Sequence, residues 1–206
     1  MIVLSDNDIV LKLAGCNLLE QFFEILEIDL ENIMITTMAY HAIPKQAKKK
    51  LVDDKAKQRL GQFINSVGIV PMVDSDLLYE LQGFENMDGG ESRLMLAASQ
   101  NSDAYLATGD KRCLESLIDN QLSKPLDQVF NSLQQRVYCL ETAFMLMIEN
   151  LGFDKVNDMV INRCVDDGVL RMAFGKERDI EHATECLKSY CQYLSPLLVP
   201  MALLSK

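Results

Sequence analysis

The chain has 206 residues, of which 49% are apolar, with 20 Lys and Arg against 30 Asp and Glu and a formal charge of −10. This composition belongs to an ordinary globular protein rather than a disordered one, and the acidic balance argues against a nonspecific nucleic-acid coat protein, whose binding rests on Lys and Arg. The six cysteines (Cys16, Cys113, Cys139, Cys164, Cys186, Cys191) form no CxxC pair and have no neighbouring histidine, so neither a zinc site nor a disulfide framework is signalled, and reduced, mostly buried thiols are expected.

From the N-terminus, MIVLS reads as a strand; it lacks the basic start and long apolar core of a signal peptide. Short apolar runs at 2–4, 33–35, 69–72, 104–107 and 137–140 predict five strands. Between them, helical periodicity covers 9–14, 18–28, 38–52, 55–67, 75–81, 90–99 and 111–118. That alternation predicts βαβ units, hence an α/β fold with a parallel sheet and helices on both faces. After Glu141 the pattern changes: 142–150, 154–165, 167–174 and 178–194 read as helices and nothing reads as a strand. The expected organisation is a body of residues 1–141 with a C-terminal helical extension, 142–206, packed on it. The stretch LLVPMALL (197–204) is apolar but far short of the roughly 20 residues that cross a bilayer. It is expected to pack on the body or on another subunit, and a cytoplasmic location is expected.

In an open parallel sheet, ligands gather beyond the carboxyl ends of the strands. Asp6 follows the first strand and Asp8 comes two residues later; Asp110 follows AYLATG; Glu91 lies in MDGGESRLMLAA at a helix start. Converging carboxylates of this kind suit Mg²⁺ or Mn²⁺, which takes oxygen ligands and can activate water against a phosphodiester. Each acid also has a purely local use. Asp6 and Asp110 are placed to cap helices, Asp8 sits where a helix dipole favours an anion, and Asp88 with Glu91 has the spacing of a capping box. Residues 45–59, KQAKKKLVDDKAKQR, carry seven bases around Asp53 and Asp54, either a solvated helix face or a guide for a phosphate backbone.

MIVLSDNDIVLKLA resembles the opening strand and first acid of PIN domains, metal-dependent ribonucleases that include the toxins of bacterial toxin–antitoxin pairs. GGESRLMLAASQNSDAYLATGDKR resembles their later signature, an acid opening a helix, a small-residue helix, a strand, and Thr-x-Asp. The resemblance covers about residues 1–140 and implies a three-layer αβα fold with Mg²⁺ or Mn²⁺ on Asp6, Glu91 and Asp110; Asp8, close to Asp6 in sequence, could complete the acidic set as a further ligand. Thr108 would orient the acid or a water. It further implies an RNA substrate, an antitoxin-like protein partner and a homodimer. The family's usual glutamate on the helix after the second strand is missing from TTMAYHAIPKQ; there is no acid between Glu31 and Asp53, and His41 lies near the expected place.

Two other readings stand beside this one. Without the missing glutamate the chain is a catalytically degenerate PIN-like scaffold for RNA or protein. Alternatively, DNDIV fits the Asp-x-Asp-x-Val motif of haloacid-dehalogenase-like phosphatases, with Thr36 or Thr37 on phosphate and Gly109-Asp110 as the later metal motif. That family needs a base before its last motif; no Lys occurs between Lys57 and Lys111, leaving Arg59 and Arg93, and Glu91 has no role. A dinucleotide-binding Rossmann protein is disfavoured, because SDNDI and not a glycine-rich loop follows the first strand.

Overall fold

A computed structural model of the protein describes residues 1–163 and 167–201. The five expected strands are all present: β1 (Ile2–Ser5), β2 (Ile33–Ile35), β3 (Gly68–Ile69), β4 (Ala104–Thr108) and β5 (Val137–Cys139). They form one parallel sheet in the order β3-β2-β1-β4-β5, with Val3 opposite Ile33, Leu4 opposite Leu106 and Ala107 opposite Tyr138. Runs such as IVLS and AYLAT are near-continuously apolar because helices cover both faces of a parallel sheet. β3 is shorter than the 69–72 expected. Val70 still donates its N–H to the Ile35 carbonyl at 2.9 Å, but Pro71 has no N–H to extend the ladder.

The helices are α1 (Asn7–Gly15), α2 (Leu19–Ile25), α3 (Thr37–Lys50), α4 (Asp54–Ser66), α5 (Ser75–Leu81), α6 (Gly89–Ser99), α7 (Lys111–Asp119), α8 (Leu126–Leu133), α9 (Leu140–Leu151), α10 (Phe153–Ile161), α11 (Gly168–Ala173) and α12 (Ile180–Cys191). Helix α8 was not among the sequence expectations. Among the described residues, seven helices begin at an Asp whose carboxylate accepts a first-turn N–H (Asp6, Asp53, Asp74, Asp88, Asp110, Asp167, Asp179), and α3 begins likewise at Thr36. Part of the acidic excess is therefore spent on starting helices. Helices α1 to α4 with α9 form one layer and α5 to α8 the other, giving the three-layer αβα arrangement.

The C-terminal helices share the hydrophobic core of the body: α9 lies on α2, α10 and α12, and the turn after α12 lies on α7. The tail then runs beside β5, where Val137 donates to the Leu197 carbonyl at 3.0 Å and accepts from Val199 at 3.1 Å. Leu197, Leu198 and Met201 are buried there against the body, one of the two placements open to the tail; 202–204 lie outside the described residues, as do 164–165 of the helix expected over 154–165. Cys16, Cys113, Cys139 and Cys191 are buried free thiols and Cys186 is half-buried, while Cys164 lies outside the described residues. No helix among the described residues is long and apolar enough to cross a membrane.

Candidate active site at the carboxyl edge of the sheet

Strand order reverses between β1 and β4, so the connections leaving their carboxyl ends diverge and open a crevice. A cleft of about 560 Å³ occupies this position, and Asp6, Asp8, Glu91 and Asp110 all line it. Asp88 joins them, and Lys12, Lys50, Lys111 and Arg112 supply the cations.

Asp6 leaves β1 directly into α1 and is only 6% exposed. Its Oδ1 accepts the Ile9 N–H at 2.8 Å, and its Oδ2 accepts the Gly109 N–H at 2.9 Å and the Thr108 hydroxyl. Burial raises its pKa above the ordinary carboxylate value; the hydrogen bonds from Thr108, Ile9 and Gly109 oppose this and the charge of Asp8 adds to it. Asp6 is thus both helix cap and cross-strand acceptor.

Asp8 sits in the first turn of α1, where its Oδ2 lies 2.5 Å from the Lys12 ammonium. Lys12 at i+4 also reaches Asp167 at 2.8 Å. Burial works to lower the pKa of Lys12, but the bonds to Asp167 and Asp8 outweigh it and the net shift is upward. The Asp8 carboxylate presses against Gly109: a Cβ there would fall 3.2 Å from Asp8 Cβ and closer still to its carboxylate oxygen. Glycine at this point is what lets the two strand ends approach.

Asp88 caps α6 by accepting from Gly90 at 2.6 Å and Glu91 at 3.0 Å. Glu91 does not complete the capping box, because its Oε2 is buried and has no hydrogen-bond partner. Asp110 caps α7 through the Arg112 N–H at 2.9 Å, with the Arg112 guanidinium 3.6 Å away. Its own N–H donates to Thr108 Oγ1 at 3.1 Å, so one hydroxyl links the two acids. Below them Cys113 is buried, and that burial, with the charges of Asp110, Asp6 and Asp88, holds its thiol well above the ordinary value. It stays a neutral thiol.

The helix after β2 contributes Met38, Gln46 and Lys50 to the cleft, and Thr36 just before it. Thr36 caps α3 through the Ala39 N–H at 3.0 Å. His41 is exposed, edge-on to the Tyr40 ring at 5.3 Å, and does not line the cleft; nor do Thr37, Arg59 and Arg93. Reasoning from sequence missed Lys12, Gln46 and the pairing of Lys111 with Glu141 at 2.6 Å, though the i,i+4 spacing of Asp8 and Lys12 was a readable sign of the first.

Among the described residues, no three His, Cys, Asp or Glu side chains are gathered closely enough to enclose an ion as they stand. The chemistry of the donors nonetheless suits a hard divalent cation: the site offers oxygen atoms, the nearest thiol is neutral, and the buried Oε2 of Glu91 lacks the partner that a buried carboxylate oxygen requires. Comparison with protein-family models, with curated proteins and with solved structures finds no match.

Proposed function

We propose that this cleft is the active site of a Mg²⁺- or Mn²⁺-dependent phosphodiesterase of PIN type that hydrolyses RNA. The observation that carries the proposal is the unpartnered buried Oε2 of Glu91, in a cleft that also receives Asp6, Asp8 and Asp110 at the carboxyl ends of β1 and β4. Asp6 and Asp110 cap helices and Asp8 pairs with Lys12, so of the four acids it is Glu91 whose burial no contact within the fold repays. Asp6, Asp8, Glu91 and Asp110 would hold the metal, which when bound polarises a phosphodiester and acidifies a water.

The chain's own groups supply the rest. Thr108 and Gly109 fix the Asp6 carboxylate, leaving no freedom to swing away. Lys12 holds Asp8 in place at the cleft and is itself held by Asp167. Arg112, exposed at the rim, and Lys50 line the cleft and would receive the phosphate of the substrate. The PIN resemblance also carries an antitoxin-like partner and a homodimer.

A degenerate PIN-like scaffold is favoured by one specific feature, the neutral Gln46 on the wall that α3 provides, where no carboxylate reaches the cleft. A cleavage assay separates the readings: single-stranded RNA is incubated with Mn²⁺ and either wild type or Asp6→Asn, alongside a phosphate-release assay on a phosphomonoester. RNA cleavage that vanishes in the variant supports the nuclease. Phosphate release without RNA cleavage points to the phosphatase, and neither activity leaves the scaffold.

A further inference from the structure

A second groove, about 710 Å³, opens off the acid cleft and shares Asp8, Lys12 and Lys50 with it. Its walls come from α1, the end of α3, the 51–53 turn, the start of α4 and the end of α10, so part of it belongs to the C-terminal extension. Four cations line it, Lys12, Lys49, Lys50 and Arg163, against Asp8 and Asp53. Lys49 and Lys50 are exposed and take part in no ion pair among the described residues. Arg163 is held 2.8 Å from Asp53 Oδ2, while Asp53 Oδ1 caps α4 through the Lys55 N–H at 2.9 Å, which fixes the extension to the groove wall. In a chain of net charge −10, a concave surface with this excess of cations concentrates polyanions.

Resting on the nuclease reading of the adjoining cleft, we propose that this groove is the path of the substrate strand: it binds the phosphate backbone of single-stranded RNA and leads it to the acids. Lys49 and Lys50 contact successive phosphates and Arg163 of the extension contacts a third. On the groove wall Val52, 83% exposed, offers apolar surface to sugars and bases, and contacts that run mainly to phosphates make binding tolerant of sequence. The C-terminal extension is thereby part of the substrate site.

The test is fluorescence anisotropy of a short labelled single-stranded RNA in EDTA over a salt series, with wild type, Lys49→Ala/Lys50→Ala and Arg163→Ala, each checked for an unchanged melting curve. Wild type binds and weakens as salt rises. The double variant binds about tenfold more weakly, and its log–log salt slope is smaller by about 1.4, at roughly 0.7 per single-strand phosphate released. Arg163→Ala weakens binding severalfold. RNA affinity that is absent in wild type, unchanged in the double variant, or equalled by polyglutamate of the same length overturns the proposal, the last in favour of an acidic protein partner. Because EDTA removes any metal, a wild type that binds RNA through these residues yet binds no Mn²⁺ overturns the nuclease reading while supporting the groove.

Discussion

The Thr108 hydroxyl ties together the ends of the two central strands: it donates to Asp6 Oδ2 beyond β1 and accepts the N–H of Asp110 beyond β4 at 3.1 Å. Thr108 is 2% exposed, so water cannot replace it. Thr108→Val keeps the shape and removes the donor, leaving a buried carboxylate oxygen with the Gly109 N–H alone. A loss of about 1–3 kcal/mol in urea unfolding is expected, with Thr108→Ser recovering most of it. Equal stability of the Val variant would show that the hydroxyl does not fix Asp6.

Gly109→Ala is expected to drive the Asp8 side chain from its place, since the added methyl overlaps it. Overpacking of this kind costs about 1–3 kcal/mol. The cost should largely disappear in an Asp8→Ala background, where the obstructing carboxylate is gone. A double-mutant cycle measures this, and a coupling below about 0.5 kcal/mol would place the strain elsewhere.

Lys111 and Glu141 form a part-buried ion pair between α7 and α9. Glu141 is 1% exposed, and Lys111 also donates to the Tyr190 carbonyl at 3.3 Å and lies 4.9 Å over the Tyr190 ring. Lys111→Met strands the carboxylate and is expected to cost about 3 kcal/mol, whereas adding Glu141→Gln restores much of the loss. Chemical denaturation of the two variants distinguishes this from a surface pair, for which both would match wild type.

Asp167 has its pKa below the ordinary 3.8: burial pushes it up, but the hydrogen bond from Lys12 and the N–H of Leu170 pull it further down. A carboxylate depressed by folding stabilises the fold above the unfolded value, and this stabilisation is lost as pH falls from there through the folded value. Unfolding free energy should therefore drop as pH falls below the ordinary carboxylate value of 3.8, and drop less in Asp167→Asn. An identical pH dependence in the two proteins would exclude this pair as a source.

Much of the fold was legible because each central strand is a short β-branched or aliphatic run between polar caps, and the sheet needs little else. The helix over Leu126–Leu133 was missed although Leu126, Val129, Phe130 and Leu133 have helical spacing; Ser-Lys-Pro just ahead reads as a loop, and the apolar face shows only once α6 and α7 are there to receive it. Within the candidate site, Asp6, Asp8 and Asp110 could be chosen because strand ends are marked in sequence, and Glu91 because it opens a small-residue helix. That Lys12 answers Asp8 while Glu91 is left unanswered depends on side chains brought together across the sheet, which spacing alone does not specify.

Calorimetric titration of Mn²⁺ into wild type and Glu91→Gln asks whether the buried, unpartnered Oε2 of Glu91 takes a cation. The expected result is saturable binding by wild type that falls at least tenfold in the variant, with no loss of thermal stability because the lost oxygen has no partner to leave behind. Equal affinity in the two proteins, or no binding by wild type, would contradict the proposed metal site.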